Sequence, residues 1–433
     1  MNKAARLQKP QSPNQDESPR TPELSRGFIQ TFESLRYRDF RFLFFAQMTN
    51  AAAQWMQMVG LPILVIAMTQ SAMHLGAVLV ARTVPSLVLG LFSGVVADMW
   101  NRRTILLITR VSGTVLAIWF AFINVTGTVS LVDIYVFALL RGLTMSFDQA
   151  PRRALIPSMV PRHVVMNAMA LSTGSMQLMR VLGASAAGVL IAIWGTPAAF
   201  IALAFLYVSG IPLLLIMQVA DHERNGYRGM RQMGVDALDA LQFAWRTPAV
   251  RGALIIAAAF HIFGNSFMHV FAPLLASGPL ELTEGALGWL VAVMGFGATC
   301  GTFFVAYFNP SHYRGMTLVV SMAAYGSLLG VMAGASYLPT PLVSFGVIWL
   351  LGLGQSIFMP LVSTLVLQAS PENMRGRAMS LMSWDRALVS FGSMIAAFAT
   401  ELFGVQIALL AFAVACAMTA LLLLSSGSLR QVD

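Results

Sequence analysis

Twelve apolar stretches, each long enough to cross a bilayer, succeed one another between about residues 42 and 425. They run over 42–68, 74–98, 104–125, 129–152, 163–193 and 197–219, then over 249–276, 284–308, 315–335, 341–369, 377–401 and 404–425. A spanning helix takes about 20 apolar residues. In hydrocarbon the backbone must satisfy its own hydrogen bonds, so the pattern predicts an all-α integral membrane protein of twelve transmembrane helices. Between the sixth and seventh stretches the chain turns polar and basic. There Val235, Leu238, Leu241 and Trp245 recur at helical spacing, which predicts an amphipathic helix on the membrane surface. The run Gly27–Phe40 is expected to lie likewise.

The two sets of six repeat each other. A shift of 210 residues places Leu140, Gly142, Leu143 and Ser146 on Leu350, Gly352, Leu353 and Ser356, and Pro161 on Pro371. A shift of 212 places Leu75 and Gly76 on Leu287 and Gly288. The shared phase predicts two pseudo-symmetric six-helix bundles, the architecture of a rocking transporter with its site between them. The expected units are a tail with an interfacial helix (1–40), a first bundle (41–219), a central linker (220–247), a second bundle (248–427) and a short tail (428–433).

Composition and charge narrow the reading. Hydrophobic residues make up 57% and charged residues 10%, against about 25% charged in soluble domains. The net charge of +9 invites a nucleic-acid reading, which charge placement excludes: the only lysines are Lys3 and Lys9, and the arginines cluster at one set of span ends. The connections near Gln70, Thr126, Gly195, Gly278, Thr340 and Glu401 carry no lysine or arginine. The positive-inside rule then puts both termini in the cytoplasm. Cys300 and Cys416 lie inside apolar stretches, so no disulfide framework is expected, and the mostly polar first forty residues are not expected to hold a cleavable leader. No metal-ligand spacing, nucleotide-binding loop or nucleophile–base arrangement occurs. The chain is expected to be no enzyme and to need no cofactor, metal or nucleotide.

Between spans two and three stands Gly94-x3-Asp98-x3-Arg102-Arg103. Asp98 is costly near lipid unless it meets a donor such as a helix N-terminus. The turn resembles the signature Gly-x3-Asp-(Arg/Lys)-x-Gly-(Arg/Lys)-(Arg/Lys) of the major facilitator superfamily. Met99 replaces one basic residue and Asn101 a glycine, and Asn101 is expected to keep a left-handed turn. The resemblance implies a conformational latch of Gly94, Asp98, Arg102 and Arg103, and the position of Asp148 at the cytoplasmic third of span four adds it to the expected latch. In it Asp98 would face the start of span eleven near Arg377, and Arg102 and Arg103 would meet the C-terminal end of span two. The matching turn near Arg314 lacks the aspartate.

A second run, from Ala150 through Pro151, Arg152, Arg153, Pro157, Pro161, Arg162 and Asn167 to Arg180, Gly183 and Gly188, resembles the branch holding the enterobactin exporter and macrolide-efflux proteins. Within it Gly174, Gly183 and Gly188 resemble the antiporter pattern Gly-x8-Gly-Pro-x-x-Gly-Gly, with Ala184 in place of the proline. Ordinary close helix packing would use the same glycines.

Polar residues inside spans are functional candidates by default. Gln47, Asn50, Gln54 and Gln57 share a face of span one, and His261, Asn265 and His269 share a face of span seven. Both stripes are expected to line the substrate cavity, although interhelical hydrogen bonds would also employ such amides. Arg141 and Asp148 share a face of span four, and the family resemblance implies a part for Arg141 in proton coupling. Arg82, Arg180, Asp385 and Arg386 are further intramembrane charges, and Arg110 is expected to snorkel. Asp385 or Asp148 is expected to carry the proton, and Asp148 to pair with Arg102 or Arg152. The expected function is export of an amphipathic drug or siderophore across the inner membrane by a monomer exchanging it for protons. An importer of a sugar or other organic solute, and a non-transporting sensor or scaffold, are the alternatives.

Overall fold

The computed structural model describes residues 32–218, 239, 241–280, 286–308, 314–337, 341–371, 374, 378, 381–382 and 385–426. Among these there is no strand, and the chain runs through α1 (Arg38–Thr69), α2 (Ala72–Met99), α3 (Arg102–Val125), α4 (Leu131–Ser146), α5 (Val165–Trp194) and α6 (Thr196–Ile216). A second set follows: α7 (Pro248–Ser277), α8 (Ala286–Phe308), α9 (Arg314–Ala335), α10 (Pro341–Ala369), α11 (Asp385–Phe403) and α12 (Val405–Ser426). Ten of these are long and apolar enough to cross a membrane, and α11 supplies a shorter apolar stretch, Ala387–Phe403. The tail before residue 32, most of the central linker and the segment around Arg377 lie outside the described residues.

Turn chemistry sets the helix ends. Gly195 between α5 and α6 and Gly404 between α11 and α12 have φ of 78° and 82°, a region that only glycine enters without strain. They stand at equivalent places in the two halves. Ser130 caps α4 in a reciprocal arrangement with Asp133, satisfying two donors at once.

Two spans depart from the sequence expectation. The fourth was expected to continue to residue 152, but it stops at Ser146, turns at Phe147–Asp148 and restarts as a short helix, Gln149–Met159. Pro151 has no N–H for the Phe147 carbonyl four residues earlier and its ring clashes there, so the break falls in front of it. In α7 the α-helix gives way to two π-helical turns, Phe260–Gly264 and Phe267–Phe271. The Asn265 N–H reaches the Phe260 carbonyl at 2.8 Å, five residues back. Such turns are rare and concentrate at functional sites.

Packing reveals the internal symmetry. In the first half α1 lies against α5 and α6, α2 against α4, and α3 against α6; in the second α8 lies against α10, and α9 against α10 and α12. The halves meet through α2 against α11 and α5 against α8. The repeat carries α2 onto α8 and α5 onto α11, so it exchanges these two contacts, as a pseudo-twofold axis requires. Local contacts repeat as well. A Cβ on Gly142 would overlap the Arg82 carbonyl oxygen, and one on Gly352 would overlap that of Met294. Each half also holds a buried aromatic stack, Phe120 on Phe137 at 4.1 Å and Phe260 on Phe358 at 4.2 Å between centroids.

Candidate transport site between the halves

The turn from α2 to α3 is organised by its polar residues. The Asn101 side chain accepts from the N–H groups of Arg103 and Thr104 and so caps α3. Its φ of −60° and ψ of 119° are extended, so the expected left-handed turn is not formed. Arg103 departs from expectation too. Its guanidinium donates to the Leu214 carbonyl at 3.0 Å and to that of Leu215, so the helix end it caps is that of α6. Arg102 donates to the Ala154 carbonyl at 3.1 Å in the short helix after α4. Asp148 pairs with Arg152 one turn on, at 3.4 Å. Gly94 and Asp98 fall near the end of α2, and Asp385 and Arg386 open α11, but their side chains lie outside the described residues.

At mid-depth a cavity of about 180 Å³ separates the halves. Arg82, Thr83 and Ser86 of α2 and Met145 of α4 line one wall; His261, Asn265 and His269 of α7 and Ser390 of α11 line the other. The α7 stripe therefore meets one space. Gln355 of α10 donates to the Asn265 Oδ1 at 2.8 Å and orients that amide. Arg180 of α5 is buried, with its guanidinium carbon 5.0 Å from the Trp55 ring centroid and its stem against Gly295 of α8 in the other half.

The α1 stripe divides by depth. Gln47 is buried and donates to the Ser172 carbonyl of α5 at 3.3 Å, a packing contact. Gln57 is 1% exposed and borders a small apolar pocket with Arg82 and His269. Asn50 and Gln54 open into a separate crevice inside the first half, beside Arg110, Arg141, Thr144, Asp148 and Tyr207. There Arg110 does not snorkel: it is 6% exposed and donates to the Ala46 carbonyl at 2.8 Å. Its inward turn follows from its place on the face of α3 that packs on α6. Arg141 is 3% exposed and donates to the Thr144 hydroxyl at 2.8 Å and to the Tyr207 hydroxyl. An arginine at the middle of a span costs about 2.5–3.5 kcal/mol on insertion scales, so both are placed where neighbours can hold them.

The sequence reading missed Tyr207 and Gln355. Each left a trace, Tyr207 as a lone phenol in an otherwise apolar span and Gln355 as the amide inside the repeated segment Leu350–Ser356.

The α5 glycines have different surroundings. A Cβ on Gly174 would meet nothing within 4 Å, one on Gly183 would press on Ala52 of α1, and Gly188 stands against Gly288 of α8. This last contact and that of Gly76 on Ala397 of α11 hold the halves together at the arginine-poor end. There Ser71 also donates to Glu401 at 3.3 Å. Small residues let helix backbones approach closely, which replaces the hydrophobic drive that lipid removes.

A family model described as transmembrane secretion effector matches residues 29–433. The chain is 22% identical over 355 residues to the staphyloferrin A transporter of Staphylococcus aureus, covering 81% of this chain and 87% of that one. It is 24% identical over 352 residues to the multidrug efflux pump Tap of Mycolicibacterium fortuitum, covering 78% and 83%. With the enterobactin exporter EntS of Salmonella typhi it shares 26% over 345 residues, covering 78% and 80%. Among solved structures, a bacterial Spinster homologue in an inward-facing, unoccupied conformation superposes with a TM-score of 0.71 at 14% identity, covering 92% of this chain and 98% of that one. A bacterial ferroportin homologue gives 0.70 at 14%, covering 90% and 98%. At these identities the structures establish the shared fold. The chain belongs to the transmembrane secretion effector family of the major facilitator superfamily, and is a multi-pass membrane transporter of small molecules and not an enzyme.

Proposed function

We propose that this transporter exports an amphipathic organic molecule of the drug or siderophore class across the inner membrane in exchange for protons, working as a monomer with both termini in the cytoplasm. One observation carries the reading: a cavity of mixed polar and apolar lining is bounded by both halves, which are held together at the arginine-poor end by glycine-mediated contacts of α2 with α11 and α5 with α8. A site shared by two bodies with a separable seal is what alternating access needs. With the arginine-rich end in the cytoplasm, that seal closes the outer side. The names of the relatives, a staphyloferrin A transporter, an enterobactin exporter and a multidrug efflux pump, support efflux and the substrate class. Asp98 acts as the latch between the halves, and Asp148 or Asp385 carries the proton. No nucleotide or nucleic acid takes part.

The test is transport by the full chain in liposomes with an imposed pH gradient, using a panel of dyes, macrolides and siderophores. Solute movement against its own gradient, coupled to opposite proton flux and abolished by a protonophore, is the expected result. Movement in the same direction as protons would make the protein an importer. Flux indifferent to the proton gradient would remove the coupling.

A further inference from the structure

The crevice inside the first half holds more positive charge than its own carboxylate can balance. Arg110 of α3 and Arg141 of α4 lie within 6.0 and 4.4 Å of the ring centroid of one residue, Tyr207 of α6. Both residues are more than nine-tenths buried. Among the described residues Asp148 is the only carboxylate lining the crevice; it forms its ion pair with Arg152 and also attracts Arg110, so one negative charge faces three arginines. Arg110 and Arg141 instead spend their hydrogen bonds on neutral oxygens: the Ala46 carbonyl, the Thr144 hydroxyl and the Tyr207 hydroxyl. Each retains a buried nitrogen with no hydrogen-bond partner, Nη1 of Arg110 and Nε of Arg141.

Two like charges brought to one ring repel each other, and a buried N–H without an acceptor forgoes the stabilisation of a charge-assisted bond. A single negative group between them would satisfy both donors and relieve the repulsion. The free volume of the crevice is about 10 Å³, room for one water-sized atom, so a single carboxylate oxygen fits there and a whole solute does not. Its wall is also the wall of the larger cavity: Met145 borders the crevice and the 180 Å³ space alike. Its sulfur lies 3.8 Å from an Arg82 guanidinium nitrogen. A solute body in the central cavity can therefore extend a charged end past a flexible thioether into the crevice.

We propose that Arg110, Arg141 and Tyr207 form a receptor for the anionic group of the transported solute, which is an organic anion with a carboxylate-like terminus. The inference rests on the exporter reading for its physiological role, but its binding chemistry can be examined separately. Guanidinium groups recognise a planar carboxylate through paired N–H donors, and the phenol of Tyr207 fixes the second face of the site. The repeat makes the site one-sided. The counterpart of Arg141 under the 210-residue shift is Leu351.

The experiment titrates the full-length protein in nanodiscs with salicylate and with salicylamide, its neutral analogue, by saturation-transfer NMR. Salicylate should bind at least about ten-fold more tightly than salicylamide, the value of one charge-assisted hydrogen bond. Arg141→Gln and Arg110→Gln should each remove that preference, and Arg141→Lys should restore part of it. Monodispersity by fluorescence-detected size exclusion separates loss of binding from loss of fold, and only monodisperse variants enter the comparison. Equal binding of the two probes, absence of salicylate binding, or unchanged salicylate binding in both Gln variants would overturn the receptor. Arginine-dependent salicylate binding in a protein that moves no solute in liposomes would overturn the exporter reading alone. Export by a protein that binds the two probes equally would overturn the anion receptor alone.

Discussion

Replacing Gly288 with alanine should open the arginine-poor end. A Cβ at that position would stand 2.4 Å from the Gly188 Cα and 2.6 Å from the Ala184 carbonyl oxygen, both backbone atoms of α5. Neither can swing aside as a side-chain tip would. Bringing the nearest pair from 2.4 Å to the 3.4 Å of ordinary contact separates the two helices by about 1.0 Å. Overpacking of this kind costs about 1–3 kcal/mol. The cost falls on the sealed state alone, because the contact exists only while α5 and α8 touch across the halves. A bias of that size shifts a two-state population by roughly 5- to 150-fold. Spin labels at Ser71→Cys and Glu401→Cys, in a background with Cys300 and Cys416 replaced by serine, report on the seal directly, since these side chains meet at 3.3 Å. Electron–electron resonance should find a second, longer distance in Gly288→Ala. Gly174→Ala is the matched control on α5: its Cβ meets nothing within 4 Å, so distances and stability should hold and helix propensity should improve slightly. An unchanged distance distribution in Gly288→Ala would refute the claim that this contact is the seal.

Other substitutions probe separate parts of the argument. Asn101→Ala removes the cap of α3 and should lower thermal stability by about 1 kcal/mol, measured in detergent by differential scanning fluorimetry. Gln355→Leu leaves the Asn265 amide oxygen without its donor, at a cost of about 1–3 kcal/mol, and should weaken transport through the central cavity; Gln355→Glu, which cannot donate when ionised, should match it. Asp98→Asn should insert and fold at wild-type yield yet lose most transport in liposomes, and normal turnover would remove the latch. Phe120→Ala empties the stack on Phe137 and should cost about 3–5 kcal/mol, lowering the unfolding temperature more than any of these.

The spans, the repeat and the arginine asymmetry are properties of composition along a line. Apolar runs of bilayer length admit one backbone solution, and a shift that aligns Gly142 with Gly352 already implies equivalent crossings. Those crossings exist, against Arg82 in one half and Met294 in the other. The stripe of His261, Asn265 and His269 was legible for the same reason, because helical spacing places neighbours on one face, and all three border one cavity.

What the line could not hold is which distant groups meet. Arg103 was expected at the end of α2 and instead caps α6, over a hundred residues onward, because three-dimensional neighbourhood, not sequence proximity, supplies its free carbonyls. Arg110 turned inward and not toward the surface because Ala46 offers a carbonyl and Tyr207 a ring in the packed bundle. The break before Pro151 was written in the sequence but outweighed there by the apolar run around it. The π turns of α7 carried no local signature. The apolar pattern along the chain determined that this protein spans the membrane as two related bundles. Which charges face each other, and so what the interior can hold, was decided only when helices far apart in sequence packed together, since a buried polar atom takes whatever partner the fold brings within about 3 Å.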